Sequence, residues 1–215
     1  ISQAVLAGGD LPTLFAELHR IVADLVSAKN FYVALLSPDR SQLSFPYFAD
    51  ERAAAPAARK PGFGLTEYVL NTAKPLRTSA NERTLLECDG QRYQPTGNPS
   101  ALWLGAPLLI DGRAIGVITV QDYDNPHAYT DADLQLLNFV AEQTAVAVHR
   151  RQAETALARA EQRYRSIFEN AVEGLYLTSR EGRFLSVNPA LAFMLGYATP
   201  AELLTGAAHP HWLEL

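Results

Sequence analysis

The sequence has a single cysteine, Cys88, in 215 residues, so no disulfide can close within the chain and no cysteine cluster can hold a structural zinc. It also lacks an excess of positive charge: 18 lysines and arginines stand against 23 acidic residues, for a formal net charge of -5. That balance leaves no electrostatic footprint for nucleic acid. No apolar run approaches the roughly 18 residues of a membrane span, and the first residues do not read as a signal peptide. A Gly-rich phosphate loop, a His-Glu-x-x-His helix and a Gly-x-Ser-x-Gly elbow are missing too. What remains is globular material, 48% hydrophobic and 19% charged with 13 glycines and 13 prolines, which excludes disorder and collagen-like repetition. The chain starts at Ile1 without a methionine and ends at Leu215 on no recognisable stop, so a cytoplasmic piece of a larger protein is expected.

Asp10 and Pro12 announce a helix over 11–28, in which Leu14, Leu18, Ile21, Val22, Leu25 and Val26 recur three and four apart. The apolar run 31–36, the turn 37–40 and the alternation of Leu43, Phe45 and Tyr47 predict a β-hairpin. An Ala/Pro-rich stretch, 53–61, leads through Gly62 and Gly64 to a short helix over 65–72. Residues 79–100 are polar and without period, the pattern of a lid or binding loop. Two apolar strands, 101–110 and 114–123, flank Asp111-Gly112, a strong hairpin signal. Thr130 and Asp133 form a capping box at the head of a helix that nothing interrupts before Asn170, roughly 38 residues and ~57 Å. Within it Val146, Arg150, Ala153, Leu157, Ala160, Tyr164 and Ile167 alternate four and three apart, a coiled-coil seam broken only by Arg150. Residues 150–165 carry five arginines against two glutamates, a local +3.

This order predicts an α+β class, an antiparallel sheet with helices covering one face, then a long helical linker. Residues 11–150 resemble a GAF domain of bacterial signalling proteins, on the strength of Asn30-Phe31-Tyr32-Val33-Ala34-Leu35, Leu43-Ser44-Phe45-Pro46-Tyr47-Phe48, Gly64-Leu65-Thr66-Glu67-Tyr68-Val69-Leu70, Trp103-Leu104-Gly105-Ala106-Pro107-Leu108, Ile115-Gly116-Val117-Ile118-Thr119-Val120-Gln121 and Tyr129-Thr130-Asp131-Ala132-Asp133-Leu134. After a linker over 151–163, residues 164–215 resemble the first half of a PAS domain, in Tyr164-Arg165-Ser166-Ile167-Phe168-Glu169-Asn170-Ala171, Gly174-Leu175-Tyr176-Leu177-Thr178, a Glu181-Gly182-Arg183 turn and Phe184-Leu185-Ser186-Val187-Asn188-Pro189-Ala190. Asn188 and Thr199 are helix caps with Pro189 and Pro200 in the first turns. The family needs three more strands than this half supplies, so it is expected to be disordered after Asn170, packed on the first half, or completed by another chain. Residues 1–10 are left as an N-terminal helix or tail.

The resemblance implies a sensory and relay role with no catalytic residue in the chain; the output enzyme, a histidine kinase or a cyclic-dinucleotide enzyme, would lie outside it. Ala7-Gly8-Gly9-Asp10 lacks the acidic and aromatic residues of a cyclase signature, and His149 lacks the context of a phospho-accepting histidine. An unknown small molecule is expected between a sheet face and the loop over it, with Tyr32, Phe48, Trp103 and Tyr123 on the strands and Tyr93 in the loop; no metal is expected. A bilin would need Cys88, which Asp89 rather than a histidine follows; haem would need His19, His127 or His149, of which His19 and His149 read as helix-surface residues and His127 as part of a turn. Val146, Ala153, Leu157, Ala160, Tyr164 and Ile167 are expected to form a homodimer through the linker and to pass the signal on, with no nucleic-acid partner and no membrane contact within this chain. A ligand-free dimerisation scaffold and a chromoprotein are the alternatives.

Overall fold

A computed structural model describes residues 10–88, 90–94 and 98–206, with Cys88 and Gln91 as backbone only. The tail before Asp10, Asp89, residues 95–97 and the residues after Gly206 lie outside it, and with them the 7–9 part of the Ala-Gly-Gly-Asp stretch and the Cys88 thiol. The chain divides into two compact units, Ile1–Arg151 and Gln152–Leu215.

The first unit runs α1 (Leu11–Ala23), β1 (Asn30–Leu36), β2 (Leu43–Ala49), α2 (Leu65–Thr72), β3 (Leu76–Ser79), a 3-10 turn (Glu82–Leu85), the short strands β4 (Glu87–Cys88) and β5 (Gln91–Arg92), then β6 (Leu102–Ile110) and β7 (Arg113–Asp122). The Asp10 carboxylate accepts from the Thr13 amide at 3.0 Å, so α1 begins where the sequence predicts. It ends five residues early, because the amides of Leu25 and Val26 both return to the Val22 carbonyl and turn the chain into β1. Asp111 and Gly112 have φ of 50° and 74°, the type I′ turn that their dipeptide favours between β6 and β7. The loop 79–100 is not structureless: it holds the 3-10 turn and the β4-β5 hairpin.

The main sheet is antiparallel, in the order β2-β1-β7-β6-β3. The two hairpins meet where Asn30 to Leu35 pair with Gln121 to Gly116. Every residue of β1 is buried, and its side chains alternate between two cores. Phe31, Val33 and Leu35 join Phe15, Leu18 and Val140 from the helices, whereas Tyr32, Ala34 and Leu36 join Leu65, Val69 and Trp103. Helices therefore cover both faces, not one as the sequence order suggested, and strands buried on both faces read as continuous apolar runs for that reason.

Helix α3 (Asp131–Asn170) is 40 residues, about 60 Å long. Its capping box is formed as predicted: the Asp133 amide donates to Thr130 Oγ1 at 3.3 Å and the Asp133 carboxylate accepts from the Thr130 amide at 2.7 Å. Leu137, Val140, Ala141, Ala145 and Val148 are buried in the first unit. Val146, Ala153, Leu157, Ala160, Tyr164 and Ile167 are all exposed. No helix among the described residues is long and apolar enough to cross a membrane.

In the second unit β8 (Tyr176–Thr178) pairs with β9 (Phe184–Val187), and α4 (Pro189–Met194) and α5 (Pro200–Gly206) follow, so the chain is ordered beyond Asn170 as far as Gly206. Asn188 is fully buried: its Oδ1 accepts from the amides of Leu191 and Leu175, both at 2.9 Å, and its Nδ2 donates to the Glu173 carbonyl. One side chain thus caps α4 and holds the entry to β8. Thr199 Oγ1 accepts from the Glu202 amide at 3.3 Å, while the Glu202 carboxylate reaches the Ala198 amide.

Gly116 sits between Leu35 and Leu108 in neighbouring strands, where a Cβ would stand 2.5 Å from the Ala34 carbonyl oxygen and 2.7 Å from the Leu35 side chain. Gly116→Ala is expected to cost about 1–3 kcal/mol, measured as a lower midpoint of urea unfolding; an unchanged midpoint would show that the β1-β7 pairing has slack.

Candidate functional site

The second core does not fill its space. A cavity of about 280 Å3 opens on this face, between the strands, α2, the segment 53–59 and the residues Arg83, Tyr93, Asn98 and Ser100. Tyr32 supplies its centre: the buried hydroxyl accepts from Trp103 Nε1 at 3.2 Å and bonds Thr66 Oγ1 at 3.0 Å. Burial pushes the Tyr32 phenol up from its ordinary value, so it stays neutral. Phe48 stacks on its ring at 5.6 Å, and Phe45 meets both rings edge-on. The Trp103 indole lies across Gly105, two residues on in the same strand, and a Cβ there would occupy the ring.

The segment after β2 is tied down across the mouth. Asp50 accepts from Tyr123 Oη at 2.9 Å and from Gln121 Nε2 at 2.8 Å. Arg52 pairs with Asp124 and lies over the Tyr123 ring at 4.7 Å, and Asn98 Nδ2 donates to the Arg52 carbonyl at 2.8 Å. Burial first, and the Asp50 carboxylate second, push the Tyr123 phenol well above the usual tyrosine range, which keeps it a donor to Asp50.

Two arginines reach the wall. Arg59 bonds Glu67, whose side chain is 2% exposed and whose Oε1 also accepts from the Gly62 amide at 3.0 Å. Arg59 is held there by backbone bonds to Leu43 of 2.7 and 2.9 Å. Arg83 is 4% exposed and donates through Nη2 to Ser100 Oγ at 3.0 Å and the Thr78 carbonyl at 3.4 Å.

Tyr32, Phe48, Tyr93, Trp103 and Tyr123 all line this one cavity. Arg59, Thr66, Arg83 and Gln121 line it as well and had no signal in the sequence: each is a single polar residue in an aperiodic loop or at an element end. Among the described residues no histidine is part of the wall. His19 is not the helix-surface residue the sequence suggested. It is half-buried, stacked on Phe31 at 4.7 Å, with Nδ1 against Tyr47 Oη at 2.9 Å and Nε2 against the Ala28 carbonyl at 2.7 Å. The early end of α1 brings Ala28 back beside it. His127 and His149 are exposed, in a turn and on α3.

The GAF domain family model matches residues 9–149. The chain belongs to the GAF domain family. A PAS domain model matches residues 162–214. Among solved structures, the GAF domain of an Acinetobacter phosphoenolpyruvate-protein phosphotransferase is 16% identical with a TM-score of 0.58, over 70% of this chain and 89% of that one. Residues 122 to 287 of a methyl-accepting chemotaxis protein give 16% and 0.55, over 69% and 94%. The GAF-B domain of DevS from Mycobacterium smegmatis gives 18% and 0.52, over 69% and 99%. At these identities the likeness is one of fold. A search of curated proteins found no match.

Arg59→Leu would leave the Glu67 carboxylate of the GAF domain buried without its cation, a change expected to cost about 3 kcal/mol. Glu67→Gln, which removes the charge together with the pair, should cost less. Urea unfolding of the two variants checks the order, and equal losses would mean that the ion pair does not set the stability of this wall.

Proposed function

We propose that this chain is the sensory and relay region of a cytoplasmic bacterial signal-transduction protein. Its GAF domain binds a small molecule in the cavity over the second sheet face, and α3 carries the change towards the PAS domain and an output domain, a histidine kinase or a cyclic-dinucleotide enzyme. The chain itself is not an enzyme. The observation that carries the reading is the cavity: stacked rings give an apolar body and buried hydroxyls and guanidinium groups give a few orienting contacts, the make-up of a small-molecule site. A ligand-free scaffold would have Trp103 and Phe48 fill this space, whereas both rings stand at its edge.

The relay follows from the same elements. Asp50, Tyr123 and Gln121 join the mouth segment to the end of β7, and α3 follows β7 after eight residues. A ligand that favours one position of this segment shifts the population of α3 arrangements by its difference in affinity for the two. The exposed apolar seam of Val146, Ala153, Leu157, Ala160, Tyr164 and Ile167 suits pairing with a second copy, so that two α3 helices would move as one signalling stalk.

Native mass spectrometry of the purified chain is expected to give a dimer carrying a small extra mass that denaturing conditions release; a bare chain at all concentrations of a cell extract would overturn ligand binding. Leu157→Glu is expected to weaken the dimer at least about tenfold, since it places two carboxylates in one seam. An unchanged dimer constant in analytical ultracentrifugation would exclude the seam while leaving the cavity reading intact.

A further inference from the structure

The wall of the cavity is unbalanced in charge. Among the described residues its lining side chains include Arg59 and Arg83 and no aspartate or glutamate. Arg59 has its counter-charge in Glu67, directly behind the wall. Arg83 has none: among the described residues it forms no ion pair, and its neighbours are neutral, with the Thr78 carbonyl and the Ser100 hydroxyl accepting from Nη2 and the Tyr93 hydroxyl beside it. Its Nε is buried without a hydrogen-bond partner among the described residues. A guanidinium does not shed its proton in a protein, so a charge 96% out of water is left with neutral oxygens alone. Burial pulls the Arg83 guanidinium below its usual range, against a smaller opposing pull from Tyr93. The same cavity is lined by the rings of Tyr32, Phe48, Tyr93 and Trp103.

We propose that the cavity selects a small organic monoanion, whose carboxylate pairs with Arg83 while an apolar body lies among the rings of Tyr32, Phe48 and Trp103. This rests on the small-molecule reading of the cavity and adds the chemical class. One uncompensated positive charge matches one negative charge; a phosphate dianion would leave a second buried charge unpaired. A volume of about 280 Å3 holds a small acid rather than a nucleotide. Ser100 and Tyr93, which share the wall with Arg83, can donate to the second carboxylate oxygen.

The test uses the whole chain and a pair of probes of equal shape, benzoate and benzamide, in isothermal titration, with native mass spectrometry of material purified from cells as the second readout. Wild type is expected to bind benzoate more tightly than benzamide. Arg83→Gln should weaken benzoate about 10- to 100-fold and leave benzamide unchanged, the loss expected for a hydrogen bond to a charged group. Arg83→Lys, which keeps the charge, should retain the preference for the acid. Any small molecule released from wild type should be an acid and should be missing from Arg83→Gln. Should Arg83→Gln fail to fold by circular dichroism, the wild-type preference for acid over amide and its retention in Arg83→Lys carry the test. Equal binding of the two probes, or release of a neutral molecule that Arg83→Gln keeps, would overturn the monoanion and leave the small-molecule reading standing. No binding of either probe together with bare protein would overturn both.

Discussion

The pairing of β1 with β7 is the constraint on which the rest of the first unit depends. It joins two hairpins through residues more than eighty positions apart in the chain, with Asn30 opposite Gln121 and Leu35 opposite Gly116. Each hairpin is local, fixed by its own turn, but two hairpins left apart would each expose an edge and a hydrophobic face. Once they zip together, the register assigns every side chain a face. Phe31 and Val33 go to the core under α1 and α3, and Tyr32 and Ala34 go to the side of α2. A slip of one residue would exchange the two sets and put the Tyr32 hydroxyl into a core with no Thr66 or Trp103 to meet it. Gly116 is the element that permits the close approach, since any side chain there meets the Ala34 carbonyl.

The two faces then serve different ends. The first is filled to the point where Phe15, Leu18, Phe31 and Val140 have almost no exposure, which is what anchors the first five turns of α3. The second is built around polar atoms: the Tyr32 hydroxyl between Trp103 and Thr66, the Glu67 carboxylate behind Arg59, the Arg83 guanidinium against Ser100. Such groups cost stability unless partnered, and a core that served stability alone would replace them with aliphatic side chains. On this face they gather around the space that remains open.

Helix α3 changes character along its length without a break in its backbone. Through Val148 it is held by the first core, and beyond that Ala153, Leu157, Ala160, Tyr164 and Ile167 stand in solvent. The capping box at Thr130 and the unbroken run of good helix formers keep it continuous across the change. The ladder of backbone hydrogen bonds stiffens the helix along its length, whichever side chains it presents.

Much of this was legible in the sequence, because it is local chemistry. Asp10, the Asp111-Gly112 pair, the Thr130-Asp133 box and Asn188 each act on an element end within a few residues, and four aromatic side chains on the strands with one in the loop over them were chosen and line one cavity. Other features arise only when distant segments meet. The end of α1 at Ala23 follows from the path into β1; the burial of His19 needs Phe31, Tyr47 and Ala28; the strand β3 has too few residues to show a period and exists through its pairing with β6. The two arginines of the cavity wall lie in loops, where nothing periodic distinguishes a buried side chain from a solvated one. The sequence by itself determined the longer elements, their caps and turns, and the family. Only the tertiary structure decided which face stayed open and which cation was left without a counter-charge, since both depend on register and burial between residues that are far apart in the chain.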